Sequence, residues 1–562
     1  MGSRPDPSEK DLGLDRPITR RDFLDGVAIG AGALTLGGFL QACDLGGRDG
    51  ETSAPGPRPE EGTGLHGLTD ASFEIPHRLR DGTFWATAPR PEDTGERYDL
   101  IIVGAGISGL AAARYWQHLE GEDRKILILD PLEQPGGHAA QNNFTANGDG
   151  GGARTLIGYG GSQTIDSPSA YSAPAAALIE DIGIDLAAFR RYFDRGFNKR
   201  FGLGQATFFD EETYGRDHLG VGVEPKILRD APLAGETKLE LLGLLRQPPD
   251  PYAELGDAEA KAELAKLTYL EFLERHAELG AESLGYLQNI TDDEWGYGID
   301  ALGAIDAWAD AYPGMDGMGL DRSRPDPANS PSEWKLWDAS DPYIHHFPQG
   351  NAGVARSIIR RLIPSAVPGE GMESIALAEL DYGELDSEAT AVRIRMRSPA
   401  VRVRNDGDEV EVVYADGNEL RAVRGGQAVL ACWNAMIPYL SDEISERQRE
   451  ALGFATKLSL VYANVQIRNW ESLERLGIHF VRSPNMYWSS IATDFPVSMG
   501  GYEFPGSPSE PMILHLVRAM VKPGLSPREQ GRAGRAELMA TTFEEIELKT
   551  RDQLNRILGS GG

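Results

Sequence analysis

Three glycines, Gly104, Gly106 and Gly109, follow the unbroken apolar run 100–103 in the stretch YDLIIVGAGISG. That spacing suits a dinucleotide. The first glycine permits a tight turn, the second lets the main chain come up against a pyrophosphate, and the third lets the next helix pack closely on its strand. The phosphates would lie at the helix N-terminus, where backbone N–H groups have no intrahelical partner. Asp130 stands about 20 residues on, at the end of KILIL, where a carboxylate would accept hydrogen bonds from a ribose. A second constellation is Trp295, Tyr297 and Asp300 in WGYGID, where aromatics beside glycines and a carboxylate suit a cationic amine chain. Core packing with a turn is the other reading of these residues and the commoner use of such a stretch.

The elements that must position these groups can be read from periodicity. Residues 100–103 predict a strand buried on both faces, residues 110–120 a helix with small residues on one side ending at Gly121, and residues 125–129 a second buried strand. From residue 166 to 343 this rhythm disappears. Acidic, Ala/Leu-rich patterns such as residues 258–280 predict helices, broken by Pro248, Pro249 and Pro251 and by a Gly/Pro-rich stretch at 313–331. Residues 352–362 predict a helix that returns the chain to the first unit. The period then becomes two: Val392, Ile394 and Met396 alternate with arginines, and residues 409–414 pair with 419–423 across Asp416-Gly417. An apolar strand over 427–432, strands near Phe480, 486–491 and 512–517, and one long helix over 528–558 complete the reading.

Composition narrows the function classes. The 562 residues allow three or four domain-sized units. With 55 basic and 86 acidic residues the formal charge is −31, which argues against a nucleic-acid partner and suits either cationic ligands or plain solubility. Cys43 and Cys432 are the only cysteines, so there is no disulfide framework, no cysteine zinc site and no Cys-x-x-Cys-His haem attachment. Cys432 lacks a local histidine and reads as a small core residue rather than a nucleophile. No metal site is expected.

The N-terminus reads as an address. Arg20 and Arg21 in TRRDFL precede a Gly/Ala-rich apolar run at 27–40, in the manner of a twin-arginine export signal. That run is 14 residues long, short of the about 20 that a spanning helix needs. The sequence Leu40-Gln41-Ala42-Cys43 looks like a lipoprotein cleavage box, so Cys43 would be lipidated or the leader cut nearby. Residues 44–63, rich in Gly, Pro and charge, read as a tether.

The glycine-dense region after Asp130 carries a family resemblance. It comprises Gly136-Gly137-His138, residues 148–152 and the IGYGG run that ends at Gly160 and Gly161. A glycine doublet just after the second strand, added to the N-terminal motif, resembles the FAD-containing amine oxidase and phytoene desaturase superfamily. The wording GGHAAQNNF, IGYGGSQTIDSPSAYS, HHFPQGNAGVAR, LACWNAMIPYL and LVYANVQIRNW resembles the bacterial spermidine dehydrogenase-like flavoproteins, over residue 19 to the last. The resemblance implies that Gly104, Gly106, Gly109, Asp130, Gly136, Gly137, His138, Gly160 and Gly161 bind FAD, with Val401 at the adenine contact. It also implies that Lys457, opening a strand over 457–462, holds a water against the flavin ring. Phe347-Pro348-Gln349-Gly350-Asn351 would lie near the flavin, and His345 or His346 would face it or ligate a noncovalent haem b. Family members continue into a last segment with a second glycine turn, whereas the sequence given ends Gly559-Ser560-Gly561-Gly562. On the resemblance this implies either a fragment or an incomplete flavin site.

The expected fold class is α/β: a Rossmann-like FAD-binding domain of the amine oxidase type with an inserted α+β substrate domain. The expected organisation is a signal at 1–43, a linker and lead-in at 44–97, FAD-binding parts at 98–165 and 344–440, and substrate-domain parts at 166–343 and 441–562. The expected activity is oxidation of a small amine, a polyamine such as spermidine among the candidates. Lys457, Trp295, Tyr297 and Asp300 would be at the reacting end, a haem protein or quinone would accept electrons, and twin-arginine machinery would deliver the chain to the periplasm or the outer side of the membrane. A desaturase-type oxidoreductase and a flavin-free binding protein are the alternatives.

Overall fold

The structure is a computed structural model and describes residues 59–61, 70–147, 153–321 and 341–559. The twin-arginine stretch, Cys43, the tether and the glycines at 148–152 lie outside the described residues. So does most of the Gly/Pro-rich stretch that ends at Pro331.

The first sheet has six strands in the order β7-β2-β1-β10-β9-β8. Here β1 is Glu92–Val103, β2 Ile126–Leu129, β7 Val392–Arg395, β8 Ala400–Asp406, β9 Glu409–Asp416 and β10 Glu419–Leu430. β7, β2, β1 and β10 run parallel, and β8, β9 and β10 form an antiparallel meander. The apolar run of β1 is continuous because both of its faces are covered. Leu100 and Ile102 join one core with Leu110, Ile126, Ile128 and Ile358, while Ile101 and Val103 join another with Leu127, Leu129, Val401 and Val403. The helix α1, Ile107–Glu120, leaves the glycine turn and packs on α2, Ala352–Leu362, beneath the sheet.

The second sheet has the order β11-β14-β13-β12-β5-β6. β5 (Gly204–Phe209) and β6 (His218–Val221) come from the chain before the helical lobe. β11 (Leu460–Ile467), β12 (Ile478–Arg482), β13 (Ser490–Thr493) and β14 (Met512–Ala519) come from the chain after the first sheet. One sheet is thus assembled from two distant parts of the sequence. Between them the helical lobe packs its own core around Tyr269, Phe272, Tyr286, Trp295 and Trp308.

Two expected helices are broken by caps. The pattern at 258–280 divides into Asp257–Leu264 and Tyr269–His276, because Thr268 and Glu271 form a capping box. The closing helix divides into α3, Pro527–Ala540, and α4, Phe543–Leu558, at a second capping box of Thr542 and Glu545. The apolar strand expected at 427–432 is the end of the longer β10, and β1 begins earlier than expected, at Glu92.

Candidate functional site

The glycine turn lies where β1 meets the end of β10. A methyl group built on Gly104 would stand 2.4 Å from the Ala431 carbonyl oxygen, and φ is +115°, so only glycine fits. On Gly109 it would stand 1.9 Å from the Gly104 carbonyl oxygen, which is how α1 starts so close to its strand. The second doublet comes back onto the first turn. Gly136 donates to the Ala105 carbonyl at 2.9 Å, and a methyl group on Gly137 would lie 3.3 Å from the Gly106 Cα. Two glycine turns from separate segments therefore meet main chain to main chain at the N-terminus of α1. That cradle would be filled by any pair of Cβ atoms, and it fits a pyrophosphate.

Asp130 is 5% exposed at the end of β2. Its carboxylate accepts the Ala105 N–H at 2.6 Å and the Leu132 N–H at 2.8 Å. Burial lifts its pKa to about 6 against those two bonds. In the structure it thus braces the glycine turn itself, with lone pairs remaining on both oxygens for a ribose. Val401 is 1% exposed in β8, and its side chain belongs to the core. Cys432 is half-buried against the first sheet's core, and the protein around it raises its thiol to about 12, consistent with a packing role.

Gly160 and Gly161 link this cradle to the second sheet. A methyl group on Gly160 would lie 3.1 Å from the His138 carbonyl oxygen, and one on Gly161 3.7 Å from the Tyr462 ring on β11. Asn464, two residues along the same face of β11, donates to the Tyr159 carbonyl at 2.8 Å and pairs with Nδ1 of His515 at 3.1 Å. Tyr159 lies against His515 with ring centroids 4.4 Å apart, and His515 against Tyr462 at 5.2 Å. Phe495 continues the wall at 5.7 Å from Tyr159 and 3.7 Å from His346, and Tyr343 follows at 5.0 Å from His346.

These rings face carboxylates. Tyr343 is 52% exposed, yet burial pushes its phenol up to about 12. Asp293 likewise combines an exposed side chain with a carboxyl raised by burial. Both side chains are open at their surface while protein lies close around them, as at the mouth of a hollow. Asp293 and Glu294 act electrostatically on both Tyr343 and Tyr462, and Asp494, whose carboxyl burial raises well above its usual range, acts on Tyr159. Carboxyls lifted by burial regain their charge when a cation binds beside them, so such a hollow favours an ammonium group.

Lys457 is half-buried and lies in the irregular segment three residues before β11, not within the strand as expected. Burial first, and the Arg535 guanidinium second, hold its amine down to about 8. It interacts with Cys432, whose backbone nitrogen lies 3.3 Å from the methyl position on Gly104, so the lysine belongs to the neighbourhood of the glycine turn.

The other expected reacting groups are employed differently. Trp295 is 3% exposed and donates from its indole to Asp310 at 2.6 Å. Tyr297 donates to the Pro527 carbonyl at 2.8 Å. Asp300 accepts from Gln288 at 2.7 Å, from the Gly524 N–H at 2.9 Å and from Gln530 at 2.8 Å. In the structure Trp295 is bonded within the helical lobe, while Tyr297 and Asp300 hold that lobe to α3 and its lead-in. The carboxylates Asp293 and Glu294 come just before them, in TDDEW, a stretch not singled out from the sequence.

The surroundings of the two histidines lend a haem no support. The His346 ring lies in a stack between Phe495 at 3.7 Å and Phe193 at 5.6 Å, with Thr164 Oγ1 2.9 Å from Nδ1 and 3.1 Å from Nε2. Axial ligation needs a ring nitrogen aimed at open space, and this ring has none. His345 is 6% exposed, edge-on to Phe189. Among the described residues no group of three or more His, Cys, Asp or Glu is placed to hold a metal ion, and no helix is long and apolar enough to cross a membrane.

No curated protein matches the chain. Solved structures similar to it include a putrescine oxidase with putrescine bound, at 13% identity over 82% of this chain and 82% of that one, TM-score 0.44. Cyclohexylamine oxidase from Brevibacterium oxydans IH-35A is similar at 15% identity over 83% of this chain and 82% of that one, TM-score 0.41. A fatty acid isomerase from P. acnes is similar at 11% identity over 82% of this chain and 92% of that one, TM-score 0.38. Likeness at this level selects neither substrate nor reaction. Residues 102–174 match the NAD(P)-binding Rossmann-like domain family, so the chain is a mixed α/β protein with a Rossmann-like dinucleotide-binding domain.

Proposed function

We propose that the chain is an exported, FAD-dependent oxidoreductase that oxidises an amine, a polyamine such as spermidine being the substrate that suits it best. One observation carries the reading. Gly160 and Gly161 run from the main chain of the phosphate cradle directly to Tyr462, so that a dinucleotide held at Gly106 and Gly137 would reach toward the hollow walled by Tyr159, Tyr343, Tyr462 and Phe495. FAD, when bound, supplies the acceptor for the hydride lost from the carbon beside the amine nitrogen.

The remaining work falls to the chain's own groups. The aromatic walls exclude water and orient the carbon chain. Asp293, Glu294 and Asp494 would hold ammonium groups away from the reacting end, while Lys457, with its amine near neutrality, would order water or move a proton beside the cradle. Loss of hydride from the neutral amine leaves a protonated imine, which water converts to an aldehyde and a shorter, protonated amine. A haem protein or quinone outside the chain would take the electrons, and the twin-arginine leader would deliver the folded protein to the periplasm.

The test is direct. The purified full chain, supplied with FAD, should show flavin absorption bands and should release aldehyde from spermidine while reducing an artificial acceptor. Failure to retain flavin after reconstitution would overturn the reading; retained flavin with no aldehyde from any amine would turn it toward a desaturase-type reaction.

A further inference from the structure

α3 lies across the approach to β11 and makes its contacts there through one face. Arg528 donates to the Phe454 carbonyl at 2.7 Å, and Arg535 donates to the Lys457 carbonyl. Between them, a methyl group on Gly531 would stand 2.8 Å from that same Lys457 carbonyl oxygen, so the helix rests on the lysine's main chain. The i, i+3 and i+7 spacing of residues 528, 531 and 535 puts these three groups along one stripe. Gly534 seats the helix equally closely on the end of β14, where a methyl group would overlap the Met520 carbonyl at 1.5 Å. On the far side, Asp300 and Tyr297 clamp the helix and its lead-in to the helical lobe.

We infer that Arg535 is a positioning residue for Lys457, fixing where its main chain sits and holding a second cation beside its amine. The consequence concerns charge. Lys457 is faced by Arg535 from α3 and by Cys432 from the end of β10, and Asp130 acts on that thiol. Arg535 is in turn faced by Arg532 of its own helix, by Tyr297 and by Arg80 of the helix Asp70–Arg80. Burial lowers the lysine most, and a cation fixed next to the amine favours the neutral form further, so Arg535 enlarges the share of the lysine able to accept a proton near pH 8. For its bearing on catalysis the inference rests on the proposed role of Lys457; the geometry does not.

The experiment measures the lysine itself in the purified full chain, by carbon-13 reductive methylation and NMR titration, in the wild type, R535Q and R535K. The wild-type midpoint should fall near 8, R535K should stay close to it, and R535Q should move by about one unit or more toward the ordinary lysine value of about 10.4. A folded R535Q with the wild-type midpoint would overturn the inference. Should R535Q fail to fold, R535M makes the same charge deletion with a side chain that packs like the arginine stem. The pH profile of kcat/KM for spermidine separates the two readings. A profile that moves with the lysine midpoint supports both, and a lysine that moves under an unchanged profile keeps Arg535 as positioner and removes Lys457 from the reaction.

Discussion

Gly109 and Gly137 serve one turn for different reasons, and substitution separates them. A methyl group on Gly109 collides with main chain at 1.9 Å, so Gly109→Ala must push α1 off its strand. Overpacking of that kind costs about 1–3 kcal/mol and should appear as a lower urea midpoint with or without cofactor. Gly137 has φ +62° and a methyl position 3.3 Å from the Gly106 Cα, at the surface of the cradle rather than inside the fold. Gly137→Ala should therefore lose only about 1–2 kcal/mol from its left-handed backbone while weakening flavin retention more than tenfold, read by titrating the apoprotein with FAD. The glycine spacing was legible in the sequence because each glycine answers a local steric demand. The partners of Asp130, Trp295 and Asp300 were not, because each is chosen by a segment distant in sequence: Ala105 for the first, Asp310 for the second, Gly524 and Gln530 for the third.

At the scale of elements, α3 is the part that connects the helical lobe to the site, and Asp300 is its fastening. Removing the carboxylate in Asp300→Ala leaves the Gly524 N–H and the Gln288 and Gln530 amides without their acceptor. A bond to a charged group is worth about 1.5–3 kcal/mol, so D300A should unfold at lower denaturant and speed amide exchange in α3. Tyr297→Phe, which deletes a single bond to Pro527, should cost about 1 kcal/mol or less by the same measurement. If the three WGYGID groups instead contacted substrate, D300A would raise KM without touching exchange in α3. β1 and β2 were readable because burial on both faces writes a continuous apolar run, and β7 and β8 because one buried face writes an alternation. The second sheet was only partly readable, since β5 pairs in parallel with β12 across more than 270 residues, and no local pattern announces such a partner. The caps at Thr268 and Thr542 were present in the sequence as T-x-x-E and were outweighed by the helical periodicity on either side.

The whole molecule has two electrostatic regimes, a dry interior that keeps histidines neutral and an acidic exterior. His346 and His515 are 1% and 4% exposed, and burial lowers both to about 3. Their folded values lie below the unfolded one, so the unfolded chain binds the extra protons. The stability they contribute is full above about pH 6.5 and is lost as pH falls toward 3. H515Q, which keeps a donor for Asn464, should flatten the fall of the urea midpoint between those limits. The exterior acts on encounter instead. A formal charge of −31 would attract a polycation at long range, but that attraction is screened beyond about 8 Å at physiological salt, whereas on the proposed function Asp293 and Glu294 would act on a ligand already inside the hollow. Raising salt from about 0.05 to 0.5 M should therefore lower kcat/KM for spermidine severalfold through association, with kcat nearly unchanged and a monoamine less affected. D293N and E294Q should instead raise KM for spermidine about tenfold at every salt concentration, the equivalent of about 1.4 kcal/mol of lost pairing, and leave a monoamine of matched length close to the wild type. Equal losses for both amines would mean that these carboxylates shape the hollow without reading the second charge.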